Sequence, residues 1–143
     1  MILGLVSGCA PPPVEAPYEP VTEVSELMLW VLEPASEVLW DSAGQIVTEE
    51  GVKDLAPTTE RGWDRVRNQS ALVAELGNLL MMPHFAQDRP DWIAMSRGLV
   101  RAGMRARRAT EARDADELFE SGAALYQACL SCHRVYWPDG PRR

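Results

Sequence analysis

Cysteine and histidine are scarce in this chain: three Cys and two His among 143 residues. An odd cysteine count excludes a framework built purely of disulfides. No run of 18 or more apolar residues occurs, which excludes a transmembrane helix. Lys and Arg total 14 against 21 Asp and Glu, for a net charge of −7. A general nucleic-acid binder needs a basic face to displace counterions, so that class is excluded too. Period-two alternation is almost absent beyond residue 21, and strands are not expected. No pair of carboxylates and no nucleophilic triad stands out as catalytic, so no enzyme is expected.

What remains is ordinary globular composition, with 46% hydrophobic and 24% charged residues and a length that suits one domain. The charge is unevenly spread. Residues 1–60 hold 11 acidic residues and one basic residue, Lys53, whereas residues 61–143 hold 10 acidic and 13 basic. Either two solvated helix faces of opposite sign attract each other within one domain, or the acidic half is a docking face for a basic redox partner.

The three cysteines fall in two contexts. Cys9 follows an apolar and then small-residue stretch, Met1 to Gly8. This resembles the lipobox of bacterial lipoproteins, in which small residues precede a Cys that is acylated. It departs from a full signal: no Lys or Arg precedes the run, and the run is short. The alternative is a free Cys in a leader. Between Ala10 and Pro20 lie five prolines, a composition that favours extended polyproline II at roughly 3 Å per residue. Residues 1–8 thus read as a signal remnant and 9–21 as a tether.

Four helical segments follow. The first, about Thr22 to Ile46, carries Val24, Leu27, Met28, Val31, Leu32, Ala35, Val38 and Leu39 on one stripe, with Thr22 as the expected cap and Pro34 as an expected kink. Residues 47–57, with Gly51 and Pro57, read as a loop. The second, about Thr59 to Met82, repeats Trp63, Val66, Ser70, Val73, Gly77 and Leu80. The third, about Pro90 to Ala112, repeats Trp92, Met95, Leu99, Ala102, Ala106 and Ala109, with Asp88 and Asp91 as a capping box. The fourth, about Ala115 to Tyr136, aligns Leu118, Gly122, Leu125, Cys129, Cys132, His133 and Tyr136, with Asp114 and Glu117 as another capping box. Segments of this length are roughly 30–37 Å long, and the 3–4 alternation is the seam of nearly aligned helices. The expected fold is all-α, an antiparallel four-helix bundle over residues 22–137 with a tail at 138–143. Its small residues, Gly77, Ala102, Ala106, Ala109 and Gly122, either make room for a cofactor or let helices pack closely.

The residues that carry chemistry are Cys129-Leu130-Ser131-Cys132-His133. Cys-x-x-Cys-His is the attachment signature of c-type haem, and chance would produce it about once in a thousand such compositions. On a helix the three positions are i, i+3 and i+4 and share a face. Two thiols can join two haem vinyl groups while the imidazole reaches the iron. A zinc site would need a fourth ligand, with only Cys9 and His84 in reserve. A redox dithiol would need a βαβ setting.

An all-helical domain with this motif at the end of its last helix, preceded by Gly122-x-x-x-Tyr126-x-x-Cys129, resembles the cytochrome c′ (class II c-type cytochrome) family. The resemblance covers about residues 22–137. It implies a four-helix bundle, periplasmic maturation and one covalent haem c, held by Cys129, Cys132 and His133 with Gly122 and Tyr136 close by. It also implies a haem packed against the first helix on the side opposite His133.

In that family a Met on the first helix makes a low-spin electron carrier. An apolar residue there leaves the iron open to gases such as NO and CO. Here the candidate distal residue is Met28, which otherwise is adaptable core filler. His84, Met95 and Met104 are weaker candidates. Trp30 and Trp40 lie off the stripe among Glu26, Glu33 and Glu37. They mark a homodimer interface through the first two helices, a redox-partner surface, or a contact with haem or tether. Tyr136 and Trp137 are expected to cover the haem edge, and one of the arginines Arg97, Arg101, Arg105, Arg107, Arg108 and Arg113 to meet a haem propionate unless they form a solvated face. The expected function is a periplasmic electron-transfer cytochrome, tethered to the membrane through lipidated Cys9; the alternative is a five-coordinate gas-binding haem protein.

Overall fold

Pro34 does not end the first helix; a change of pitch precedes it. In the computed structural model, which describes residues 18–86 and 90–140, α1 (Val24–Leu27) runs directly into a π-helical turn (Met28–Leu32) and then into α2 (Glu33–Trp40). The Glu33 N–H reaches back five residues to the Met28 carbonyl. Pro34 follows within the first turn of α2, where its missing N–H costs least. The cap is Glu23 rather than Thr22: Glu23 and Glu26 form a reciprocal capping box, with the Glu23 N–H donating to Glu26 Oε2 at 3.0 Å. This first helix stops at Trp40, short of the expected Ile46.

The stretch read as a loop, together with Ile46, is a β-hairpin. β1 (Gln45–Thr48) and β2 (Gly51–Asp54) pair antiparallel, with Gln45 opposite Asp54 and Thr48 opposite Gly51. A two-residue connection, Glu49-Glu50, joins them, and Gly51 takes φ +138°, a left-handed region that suits glycine. Every strand residue is exposed, so neither face required an apolar alternation.

The remaining helices are α3 (Glu60–Leu79), α4 (Pro90–Ala112) and α5 (Ala115–Tyr136). Among the described residues the fold is mostly helical, with four helices making up 68% of them and one small two-stranded sheet. Thr59 caps α3 by accepting the Gly62 N–H at 3.1 Å. Asp114 caps α5 by accepting the Glu117 N–H at 2.9 Å, but Glu117 does not complete a capping box. Its carboxylate takes two hydrogen bonds from Arg105 instead, at 2.6 and 3.0 Å. Cys9, the expected signal, most of the tether and Asp88 lie outside the described residues.

α3 packs on α4, α4 on α5, and α2 on both α3 and α5. The stripes meet in one core that includes Leu27, Leu32, Leu39, Val66, Val73, Leu99, Leu118 and Leu125. Glycine sets the closest approach. A Cβ on Gly103 would lie 2.6 Å from the Ala74 N and 2.9 Å from the Ser70 carbonyl oxygen; one on Gly77 would lie 2.9 Å from the Ser96 carbonyl oxygen and the Val100 N. The backbones of α3 and α4 therefore touch at two points. Buried Ser36, Ser70 and Ser96 fit such seams because each hydroxyl donates to the carbonyl four residues back, all at 2.8 Å.

Among the described residues no helix is long and apolar enough to cross a membrane.

Candidate functional site

Antiparallel packing brings the end of α5 beside the start of α4 and the start of the first helix. There a cleft open to solvent is lined by Cys129, Cys132 and His133 with Ala128 from α5, by Met28 and Leu32, by Leu80, and by Trp92, Met95, Ser96 and Leu99 from α4. The helical phase that puts residues i, i+3 and i+4 on one face explains why the two thiols and the imidazole share this wall.

One wall is rigidly tied. The Trp92 indole N–H donates to the Leu80 carbonyl at 2.7 Å, satisfying an acceptor left at the end of α3. Tyr136 stacks edge-on against the same indole, with centroids 4.8 Å apart at 82°. Trp137, just past α5, is half exposed and lies edge-on to the His133 ring at 5.4 Å.

Electrostatically the cleft favours neutral sulfur. Burial pushes the Cys129 thiol up from 9.0 to about 11, with the neighbouring Cys132 adding to the shift. Burial raises Cys132 as well. Both groups are therefore thiols at neutral pH, unlike the acidic cysteines of dithiol oxidoreductases. At pH 8 the thiolate fraction at Cys129 is lower by about 100-fold than at an unshifted cysteine. Alkylation of the haem-free chain at pH 8, followed by mass spectrometry, is expected to modify Cys129 about 100-fold more slowly than the same cysteine in the urea-unfolded chain. Equal rates would contradict the burial. The folded chain also holds this proton more tightly than the unfolded one does. Stability contributed by the neutral thiol is therefore complete below pH 9 and is lost as pH climbs towards 11.

Among the described residues no three His, Cys, Asp or Glu side chains converge on one point. The two thiols and the imidazole, on a largely apolar lining, are residues that could hold a covalently attached haem. Met28, partly buried, lines the same cleft and could offer a thioether.

Other sequence-selected residues lie elsewhere. Gly122, two turns before Cys129, does not line the cleft. It meets Trp40, whose indole N–H donates to the Gly122 carbonyl at 3.1 Å and whose Cδ1 would sit 3.3 Å from an added Cβ. Gly122 and Trp40 thus join α5 to the first helix, whereas Trp30 remains 64% exposed. His84 stays out of the cleft: its Nε2 is 3.2 Å from the Thr22 carbonyl oxygen, and its ring meets Phe85 edge-on. Met95 lines the cleft and Met104 does not. Arg105 is engaged with Glu117, Arg107 with Glu111, and Arg113 with Glu60. The Ser96 contribution was not anticipated; its place one turn beyond Trp92 on the same stripe was the available signal.

No protein-family model, no curated protein and no solved structure matches the chain.

Proposed function

We propose that this chain is a c-type haem protein of the cytochrome c′ kind, a four-helix bundle that carries electrons in the periplasm and is held at the membrane through lipidated Cys9. The observation that carries this reading is that Cys129, Cys132 and His133 line one cleft together with Met28. When bound, the haem iron supplies the one-electron chemistry. Cys129 and Cys132 would hold the group by adding their S–H across its two vinyls, each sulfur gaining a carbon bond while the hydrogen passes to the neighbouring carbon. His133 would offer a nitrogen and Met28 a sulfur to the iron. Leu32, Leu80, Trp92 and Leu99 keep the site apolar and limit water. The exposed Trp30, among Glu26, Glu33 and Glu37, is available to a redox partner or a second copy of the chain.

The test is the absorption and EPR spectrum of the protein made with a cytochrome c maturation system. Colour that stays with the denatured chain, and a low-spin ferric signal without added ligand, are expected. Met28→Ala is expected to turn that signal high-spin while the haem stays attached. A wild-type high-spin spectrum with CO binding on reduction would identify an open gas site instead. A colourless denatured chain would rule out both.

A further inference from the structure

Leu27 and Leu32 are five residues apart and both buried, at 3% and 6% exposure. In a straight α-helix five residues turn about 500°, which leaves Leu27 about 140° away from Leu32, at the opposite edge of a broad apolar stripe. The π turn between them narrows that spread. Taken as one residue that adds no rotation, it brings Leu27 to about 40° on one side of Leu32 and Met28 to about 60° on the other. The cleft agrees: Met28 and Leu32 line it and Leu27 does not. Without the π turn Met28 would swing to about 40° on the side Leu27 now holds, and away from the cleft.

The cause is local. Pro34 has no N–H, so in an α register the Trp30 carbonyl would lose its donor and press on the proline ring. In the wider turn the Glu33 N–H bonds the Met28 carbonyl rather than that of Leu29, which shifts the register of the chain ahead of the proline ring. Trp30 is 64% exposed, so water reaches that side of the helix. Pro34 is itself exposed, so replacing it removes no core packing.

We propose that Pro34 is a positioning residue: the π turn it imposes aims Met28 into the cleft opposite His133, while leaving Leu27 in the core. That Met28 then ligates iron rests on the function proposed above; its aim into the cleft does not.

The test is Pro34→Ala in the full chain. In the wild type, NMR coupling across hydrogen bonds is expected to link the Glu33 N–H to the Met28 carbonyl, and the Met28 methyl is expected to show contacts with Trp92 or Leu99. In Pro34→Ala the residue-34 N–H should couple to the Trp30 carbonyl, and the Met28 methyl should lose those contacts. The haem-loaded variant should change from a low-spin to a high-spin ferric signal with its haem still attached. A general loss of rigidity at Pro34 would lower the melting temperature without moving these signals. Retention of the Met28 contacts and of the wild-type spin state in Pro34→Ala overturns the proposal. So does a wild-type Glu33 coupling to Leu29 rather than Met28, a measurement that holds even where the variant does not fold. A wild-type protein that is high-spin refutes ligation by Met28 alone, because the NMR contacts still decide its placement.

Discussion

Gly103→Ala is expected to lower stability by about 2 kcal/mol, and the melting temperature by roughly 8 °C for a chain of this size. Two opposing effects set the sign. Alanine in a helix interior gains about 1 kcal/mol over glycine from a less flexible unfolded chain. Against this, the new methyl would sit 2.6 Å from the Ala74 N and 3.0 Å from its Cα, and both atoms are backbone. A side chain could rotate aside; a helix backbone cannot. α3 and α4 must therefore separate, loosening the Val66, Val73 and Leu99 packing around the seam, for an overpacking cost of about 3 kcal/mol. Gly98 on the same helix is the control. Its nearest neighbour would be the end of the Arg101 side chain at 3.7 Å, so Gly98→Ala is expected to stabilise the chain by about 1 kcal/mol. Thermal or urea unfolding of the two variants side by side reads both signs. If both shift the same way, close contact at Gly103 is not what holds the seam.

That seam also marks where sequence reading reached its limit. The bounds of α4 and α5 were legible because local chemistry punctuates them: Pro90 opens one, and Asp114 caps the other. The small residues were legible as a stripe but not as to purpose. Gly77 serves contact between helices, as does Gly103, which lay outside that stripe, and Gly122 meets an indole; only the neighbouring helix decides that. The π turn was hidden because Val24, Leu27, Met28, Val31 and Leu32 fit a continuous helical stripe without it. The hairpin was hidden for the opposite reason: a ribbon exposed on both faces, with Ile46 across from Lys53 and Val47 across from Val52, has no core side to impose alternation. At the site, the motif needed only its own helix to bring its three residues to one face. The walls from Leu80, Trp92, Met95 and Ser96 come from segments 30 to 50 residues away in sequence, and only packing brings them together.

If the chain carries the proposed haem, replacing both motif cysteines gives the other large expected effect: complete loss of haem from the denatured chain. Cys129 and Cys132 are partly buried small side chains in an apolar wall, so Cys129→Ala with Cys132→Ala removes one sulfur at each site and costs about 1 kcal/mol each. A fold with this much core survives that loss, and circular dichroism should match the wild type. Burial raises both thiols, which are neutral at pH 7, and no other described cysteine could substitute for them in the proposed attachment. Each single variant is expected to keep one thioether and therefore its colour after denaturation, with a red-shifted spectrum from the vinyl left unsaturated. His133→Ala separates grip from ligation: haem should stay covalently attached while the low-spin signal disappears. The decisive comparison is haem staining of denatured chains from all four variants and the wild type. Stain that persists in the double variant would place attachment outside the motif. Loss of stain in His133→Ala, with both cysteines intact, would mean that the imidazole is needed to seat the group before the thiols can react.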